Sequence, residues 1–371
     1  MSRRLDGSGG AGCAGAGARL SELRRFAAHE LDDSETTAWV EPADCFDQLV
    51  ASWSAETPPG THVVVSAQAR TERAETAWFV LGRWSADDTF FRRTSVPGQR
   101  DEHAAVAVDT LVARALPFVA YRLRVEGARD AVSLPVLRGT GGTTPRLRTL
   151  AACASRRVRP DGPSEPGGTA VDLAVPALSQ MPHAGHFPAY GGGGASWCSP
   201  ASIAMMLDFW GAGPSEHERA WVGEGHADSQ VDHAARGTYD AAYGGCGNWS
   251  FGAAYAARYG LDAFVTRLPS LREAEALLVA GFPVVTSIAA GPGELTGFPL
   301  PQGTDGHLVV LRGVMPKGDP VVNDPAAATA AEVPRTYDRG EFERAWLEGS
   351  GGATYVIHPP AVTLPASAGA W

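Results

Sequence analysis

The sequence has few cysteines, and none of them form a paired motif. Its 371 residues contain five, at positions 13, 45, 153, 198 and 246, and no two are spaced C-x-x-C. This count argues against a dense disulfide framework, and the spacing argues against a zinc ribbon. Because the number is odd, at least one thiol must stay unpaired.

The sequence also lacks a long apolar run and an excess of positive charge. No segment reaches the roughly 18 apolar residues of a membrane span, so we predict none. The formal net charge is -10, which argues against nucleic acid as a partner. The start, Met-Ser-Arg-Arg followed by Gly and Ala, lacks the apolar core of a secretory signal. A cytoplasmic location is therefore the first expectation.

Composition divides the chain into four parts. Residues 1–35 are Gly-rich and then polar, and we predict poor order there, with a short helix as an option over Leu20–Leu31. Residues 36–140 are predicted to form a β-sandwich-like domain, residues 141–170 a linker rich in Gly, Pro, Arg and Ser, and residues 171–371 a domain of mixed helices and strands.

Period-two alternation marks the strands of the second part. Val63, Val65, Ala67 and Ala69 alternate with other residues, and the same holds for the segment 119–125. Segments 78–84 and 105–112 are predicted as further strands of an antiparallel sandwich.

After the linker, helices are predicted before most of the strands. The predicted helices are 200–210, 231–242, 250–259, 271–280 and 341–347, and the predicted strands are 283–288, 307–314, 320–323 and 354–358. This order is typical of an α+β domain with a small sheet.

Cys198 lies immediately before the predicted N-terminus of the first of these helices. Ser199 suits the N-cap, and Pro200 suits the first helical position. The positive end of a helix dipole lowers a thiol pKa, so Cys198 is a candidate nucleophile. The alternative is a small buried hydrophobe, which is common for a free cysteine.

A cysteine nucleophile needs an imidazole, a group that orients the imidazole, and oxyanion donors. His307 opens an apolar strand, and Asp324 ends the next strand, so antiparallel pairing would bring the two together. Taken singly, His307 could be a satisfied core histidine and Asp324 an ordinary turn residue. Gln180 could donate to an oxyanion together with the Cys198 backbone N–H, although its spacing alone also fits an ordinary loop glutamine.

These residues resemble a known family. Trp-Cys-Ser-Pro-Ala-Ser at 197–202, Gly-His-Leu-Val-Val at 306–310, Asn-Asp-Pro at 323–325 and the upstream Ser-Gln together look like the C39-like peptidases. The resemblance covers roughly residues 172–358, and the preceding region resembles the β-rich N-terminal part of bacterial proteins with this architecture.

The resemblance implies an α+β, papain-like cysteine peptidase domain preceded by an antiparallel β-sandwich domain. It implies Cys198 as nucleophile, His307 as general base and acid, Asp324 as orienting carboxylate and Gln180 as oxyanion donor, acting on peptide or protein substrates without a cofactor. It also implies an extracellular location as the alternative to a cytoplasmic one.

Other functions stay open from the sequence. The catalytic domain could have decayed into a binding module, or the same residues could serve a transglutaminase or acyltransferase. His183 and His186 could ligate a metal, but no cysteine or carboxylate stands at zinc-site spacing, so we predict no metal site. Asp228 and Asp232, at helical spacing, are predicted to form a solvated face.

Overall fold

The computed structural model describes residues 20–27, 30–31, 35–129, 132–134, 144–157, 162–367 and 369–371. The strands of the first half are β1 (Ser21–Phe26), β2 (Gln48–Glu56), β3 (Thr61–Arg70), β4 (Phe79–Trp84), β5 (Ala104–Ala107), β6 (Thr110–Ala113), β7 (Ala120–Arg129), β8 (Val132–Leu134) and β9 (Arg146–Ser155). The later strands are β10 (Val171–Asp172), β11 (Asp262–Arg267), β12 (Val284–Ala290), β13 (Thr304–Val314), β14 (Pro320–Asn323), β15 (Pro334–Thr336) and β16 (Ala353–His358). The helices are α1 (Cys198–Phe209), α2 (Glu216–Arg219), α3 (Ser229–Thr238), α4 (Trp249–Ala257), α5 (Leu271–Val279) and α6 (Arg339–Ser350).

The first half forms two antiparallel sheets. One has the strand order β1-β9-β2-β6-β5 and the other β4-β3-β7-β8. Leu123 and Val125 of β7 are buried, whereas Arg122 and Arg124 beside them are only half-buried. The period-two pattern thus has its expected physical basis, since successive side chains of a strand point to opposite faces.

Three local predictions in this half are wrong. The helix considered over residues 20–31 is instead strand β1, paired with β9. The predicted linker contains β9, which lies between β1 and β2 in the sheet. Half of its buried stretch, residues 150–155, is alanine, which gives a weak strand signal. Segment 105–112 is a hairpin, β5 and β6, with Val108 at φ 59° in the turn. The predicted poor order of residues 1–19 lies outside the described residues.

The second half is built on an antiparallel seven-stranded sheet. Its order is β11-β16-β12-β13-β14-β15, and β10 also pairs with β13. Leu308 and Val310 of β13 pack into one core with α1 and α4, while Val309 and Leu311 pack into a second core with α5 and α6. The sheet is therefore covered by helices on both faces, which explains the apolar runs in its strands.

The two halves pack directly on each other. The rings of Trp53 and Trp84 contact Phe251 of α4, and the Ser250 hydroxyl donates to the backbone oxygen of Ala51 at 2.7 Å. These residues belong to one continuous apolar core. None of the helices in the described part of the chain has the length and apolar character needed to cross a membrane.

Candidate active site

Cys198 is the first residue of α1, so the helix begins two positions earlier than predicted. Trp197 takes the N-cap position without a side-chain cap, so the prediction that Ser199 caps the helix is wrong. The first N–H groups of a helix have no partner within it, and they place positive potential at Cys198. Nine of the twelve residues of α1 are buried, which fixes the helix in the core and holds the partly buried Cys198 at its first position.

His307 and Asp324 lie side by side as antiparallel pairing predicts. Strands β13 and β14 pair in antiparallel register, and His307 Nε2 lies 2.7 Å from Asp324 Oδ1. Both side chains are almost fully buried. Because Nε2 faces the carboxylate, Nδ1 is the nitrogen that remains for the thiol of Cys198.

The thiol and the imidazole shift each other's pKa. Burial alone raises the pKa of Cys198, but the hydrogen bond and charge of His307, helped by backbone N–H groups, outweigh burial and lower it. Burial alone lowers the pKa of His307, but Asp324 and then Cys198 outweigh it and raise the pKa to about 10. These opposite shifts favour a thiolate beside an imidazolium at neutral pH.

Asp324 is held by two further groups. The Tyr337 hydroxyl donates to its Oδ2 at 2.7 Å, and the Ala326 N–H donates to its Oδ1 at 3.0 Å. Burial raises the pKa of Asp324, but His307 and these donors outweigh burial and lower it. Sequence reasoning gave Tyr337 no role, because it lies on a segment after β15 that only the fold brings to the site.

Gln180 is buried and tied to the same group of loops. Its Nε2 donates to the backbone oxygen of Gly194 at 2.8 Å, and its backbone N–H donates to Pro325 at 2.8 Å. The first bond joins it to the segment that precedes Cys198, and the second joins it to the turn that follows Asp324. One Nε2 hydrogen is thus committed to Gly194, and one remains.

Two other cysteines have an inert environment. Burial raises the pKa of Cys153, and it raises the pKa of Cys246 to about 12.

Tyr243 is partly exposed, and burial together with the charge of Cys198 raises its pKa. Sequence reasoning missed Tyr243, which lies near the thiol on the loop between α3 and α4.

His183 and His186 have a carboxylate partner that sequence spacing could not reveal. Their Nδ1 atoms lie 3.0 and 2.8 Å from the two oxygens of Asp232. Asp232 is fully buried, so its prediction as part of a solvated face is wrong. The three side chains could hold a metal ion.

Comparisons with known proteins give two matches to family profiles. The profile described as the Peptidase C39 N-terminal domain matches residues 33–155, and that of the Peptidase C39 like family matches residues 172–354. No curated protein matches the chain. Among solved structures, a Bacillus anthracis protein described as a C39-like peptidase is 20% identical, with a TM-score of 0.32, over 51% of this chain and 97% of that one.

Proposed function

Because the chain belongs to the C39-like peptidase family, we propose that it is a cysteine peptidase with a papain-like arrangement of its catalytic residues. It hydrolyses peptide or related amide bonds through a thioester. The observation that carries the proposal is the buried 2.7 Å pair of His307 and Asp324 beside a thiol of lowered pKa. A thiol of lowered pKa beside an imidazole is the arrangement that nucleophilic catalysis by cysteine requires.

The first chemical step forms the thioester. The Cys198 thiolate attacks the carbonyl carbon of the substrate, and the carbonyl oxygen becomes an oxyanion. The second Nε2 hydrogen of Gln180 and the backbone N–H of Cys198 are the proposed donors to that oxyanion. His307 then gives its proton to the amide nitrogen, the C–N bond breaks, and the amine leaves.

The second step releases the acid. Neutral His307 takes a proton from water, and the resulting hydroxide attacks the thioester carbon. The C–S bond breaks, and the thiolate returns beside the imidazolium. Asp324 accepts a hydrogen bond from His307 Nε2 throughout, which keeps the other ring nitrogen directed at the thiol.

A peptide library with mass spectrometric detection tests this activity. We expect Cys198→Ala to abolish cleavage and Cys246→Ala, the matched control, to retain it. Cleavage by Cys198→Ala at the parental rate would overturn the proposal. Added primary amines should leave hydrolysis as the main reaction, whereas predominant amine adducts would indicate a transferase instead.

Labelling of the thiols tests the state of the site without a substrate. At mildly acidic pH, iodoacetamide should modify Cys198 faster than Cys153 or Cys246, because only a thiol of lowered pKa is then ionised. Equal labelling of all cysteines would indicate a decayed site.

A further inference from the structure

A second cluster of buried polar side chains lies outside the proposed catalytic residues. His183 and Asp232 are completely buried, and His186 is 19% exposed. Their nitrogen and oxygen atoms lie within 4.8 Å of one another. His183 Nε2 has no partner among the described residues, so this ring is held by polar contact through Nδ1 alone.

The carboxylate of Asp232 needs compensation for its burial. Within the described residues, its recorded ion pairs are with these two imidazoles and with no Lys or Arg. A buried carboxylate is costly unless a positive group balances it. A divalent cation between the three side chains would supply that balance and bind each Nδ1 lone pair.

We propose that His183, His186 and Asp232 form a binding site for a divalent cation of the zinc class. Two imidazole nitrogens and one carboxylate are a donor set that zinc accepts, with a fourth position for water. Zinc bonds of about 2.0 to 2.1 Å place tetrahedral ligands roughly 3.3 Å apart. The distances of 3.0 and 2.8 Å run to the two different oxygens of Asp232. One ligand atom from each side chain lies within 4.8 Å of the others, so the side chains must shift to bring all three donors to this spacing.

An outer partner supports the same assignment. His186 Nε2 lies 3.2 Å from His226 Nδ1, so the ring nitrogen that does not bind the cation has a hydrogen-bond partner. Metal-binding histidines commonly hold their second nitrogen in this way; His186 does so, whereas His183 Nε2 has no such partner among the described residues. His226 is exposed, and it therefore orients His186 from the protein surface.

The cation would join helix α3 to the segment that carries Gln180. His183 ends a short 3-10 helix that begins after Gln180, and its ring centroid lies 5.8 Å from that of Trp197. This consequence rests on the proposed function: the bound cation fixes Gln180 and the approach to Cys198, and its removal lowers kcat more than it changes KM.

Zinc binding is tested in full-length protein without a histidine tag. Because zinc can also bind the Cys198 thiol, the measurement uses Cys198→Ala, which is first freed of metal by chelation, then incubated with zinc, and dialysed to remove unbound zinc. We expect one zinc per chain by elemental analysis and an unfolding midpoint that rises with zinc concentration. Absence of bound zinc in this variant, or its displacement by an equal concentration of magnesium, overturns the proposal.

A second variant assigns the ligand. In the Cys198→Ala background, His186→Gln keeps a polar side chain at a partly exposed position, and we expect at least about a 100-fold loss of zinc affinity. Asp228→Asn, a neighbour outside the cluster, should bind as the parent does. Retention of full affinity by His186→Gln overturns the assignment. Near-ultraviolet circular dichroism without zinc verifies that each variant is folded.

Activity is a separate readout in the protein with Cys198 intact. Chelation should lower kcat and stoichiometric zinc should restore it, with no response in His186→Gln. If no form cleaves peptides, the proposed function fails while the binding data still decide the cation site. If peptides are cleaved and zinc is not bound, only the cation site fails.

Discussion

Loss of the Asp324 charge should change the pH at which Cys198 reacts. The pKa of His307 is about 10, against an ordinary value of 6.5, which corresponds to roughly 5 kcal/mol in favour of imidazolium at 1.36 kcal/mol per unit. Asp324 is the leading favourable cause of this rise. In Asp324→Asn most of that free energy is lost, so His307 becomes neutral near pH 7.

The thiol then loses its cationic partner. Its pKa should rise, because burial, which raises it, is then no longer outweighed by His307, so the thiolate fraction at pH 6 should fall. We expect the alkylation rate at pH 6 to fall between about 10-fold and 100-fold, since a more basic thiolate is also intrinsically more reactive. At pH 9.5, where a larger share of the thiol ionises without a cationic partner, the difference between the two proteins should be clearly smaller than at pH 6.

The assay is the iodoacetamide rate at Cys198 from pH 5 to 10, followed by mass spectrometry. Asp172→Asn is the matched control, because Asp172 is more than half exposed and pairs with Arg312 away from the site; it should leave the profile unchanged. An Asp324→Asn profile equal to that of the parent at pH 6, or reduced equally at both pH values, refutes the electrostatic reasoning.

Three further predictions concern groups around the site. Tyr337→Phe removes the buried 2.7 Å hydrogen bond to Asp324. It should lower the free energy of unfolding, measured by urea titration, by about 1.5 to 3 kcal/mol. An unchanged unfolding midpoint would contradict this prediction. Gln180→Ala should lower kcat by about 10² to 10³ with an unaltered alkylation profile, and steady-state kinetics with full kcat would remove the residue from the oxyanion site. Gly193→Ala places a Cβ 1.7 Å from the His183 backbone oxygen. It should therefore destabilise the protein more than Gly192→Ala, because a Cβ at Gly192 has open space at a similar φ. Equal unfolding midpoints of the two variants would refute this prediction.

Charge pairing also sets the pH range of the proposed activity. Because the pKa of Cys198 is lowered, the ion pair forms at a pH below the ordinary pKa of a thiol. Because the pKa of His307 is raised, the ion pair persists up to about pH 10. Cleavage should therefore be measurable at mildly acidic pH and should decline as the pH passes about 10, where His307 loses its proton. Initial rates across this range provide the measurement.

Local sequence signals determined the elements that carry the candidate catalytic residues. The apolar run after His307 predicts strand β13, and the short strand before Asp324 is found at Pro320–Asn323 as predicted. Because consecutive strands of a sheet commonly pair in antiparallel register, the contact between His307 and Asp324 also followed from the sequence. Cys198 was placed at a helix start by the same kind of local evidence.

Only the tertiary structure decided which distant groups complete these sites. Tyr337 and Asp232 meet their partners through sheet order and helix packing, and no local period encodes contacts of that kind. Strand β9 was missed for a related reason: its alanines become a strand because neighbouring strands bury them, not because of their own preference. Local signals thus place Cys198 at a helix start, while long-range packing brings it beside His307, whose hydrogen bond and charge lower the pKa of its thiol.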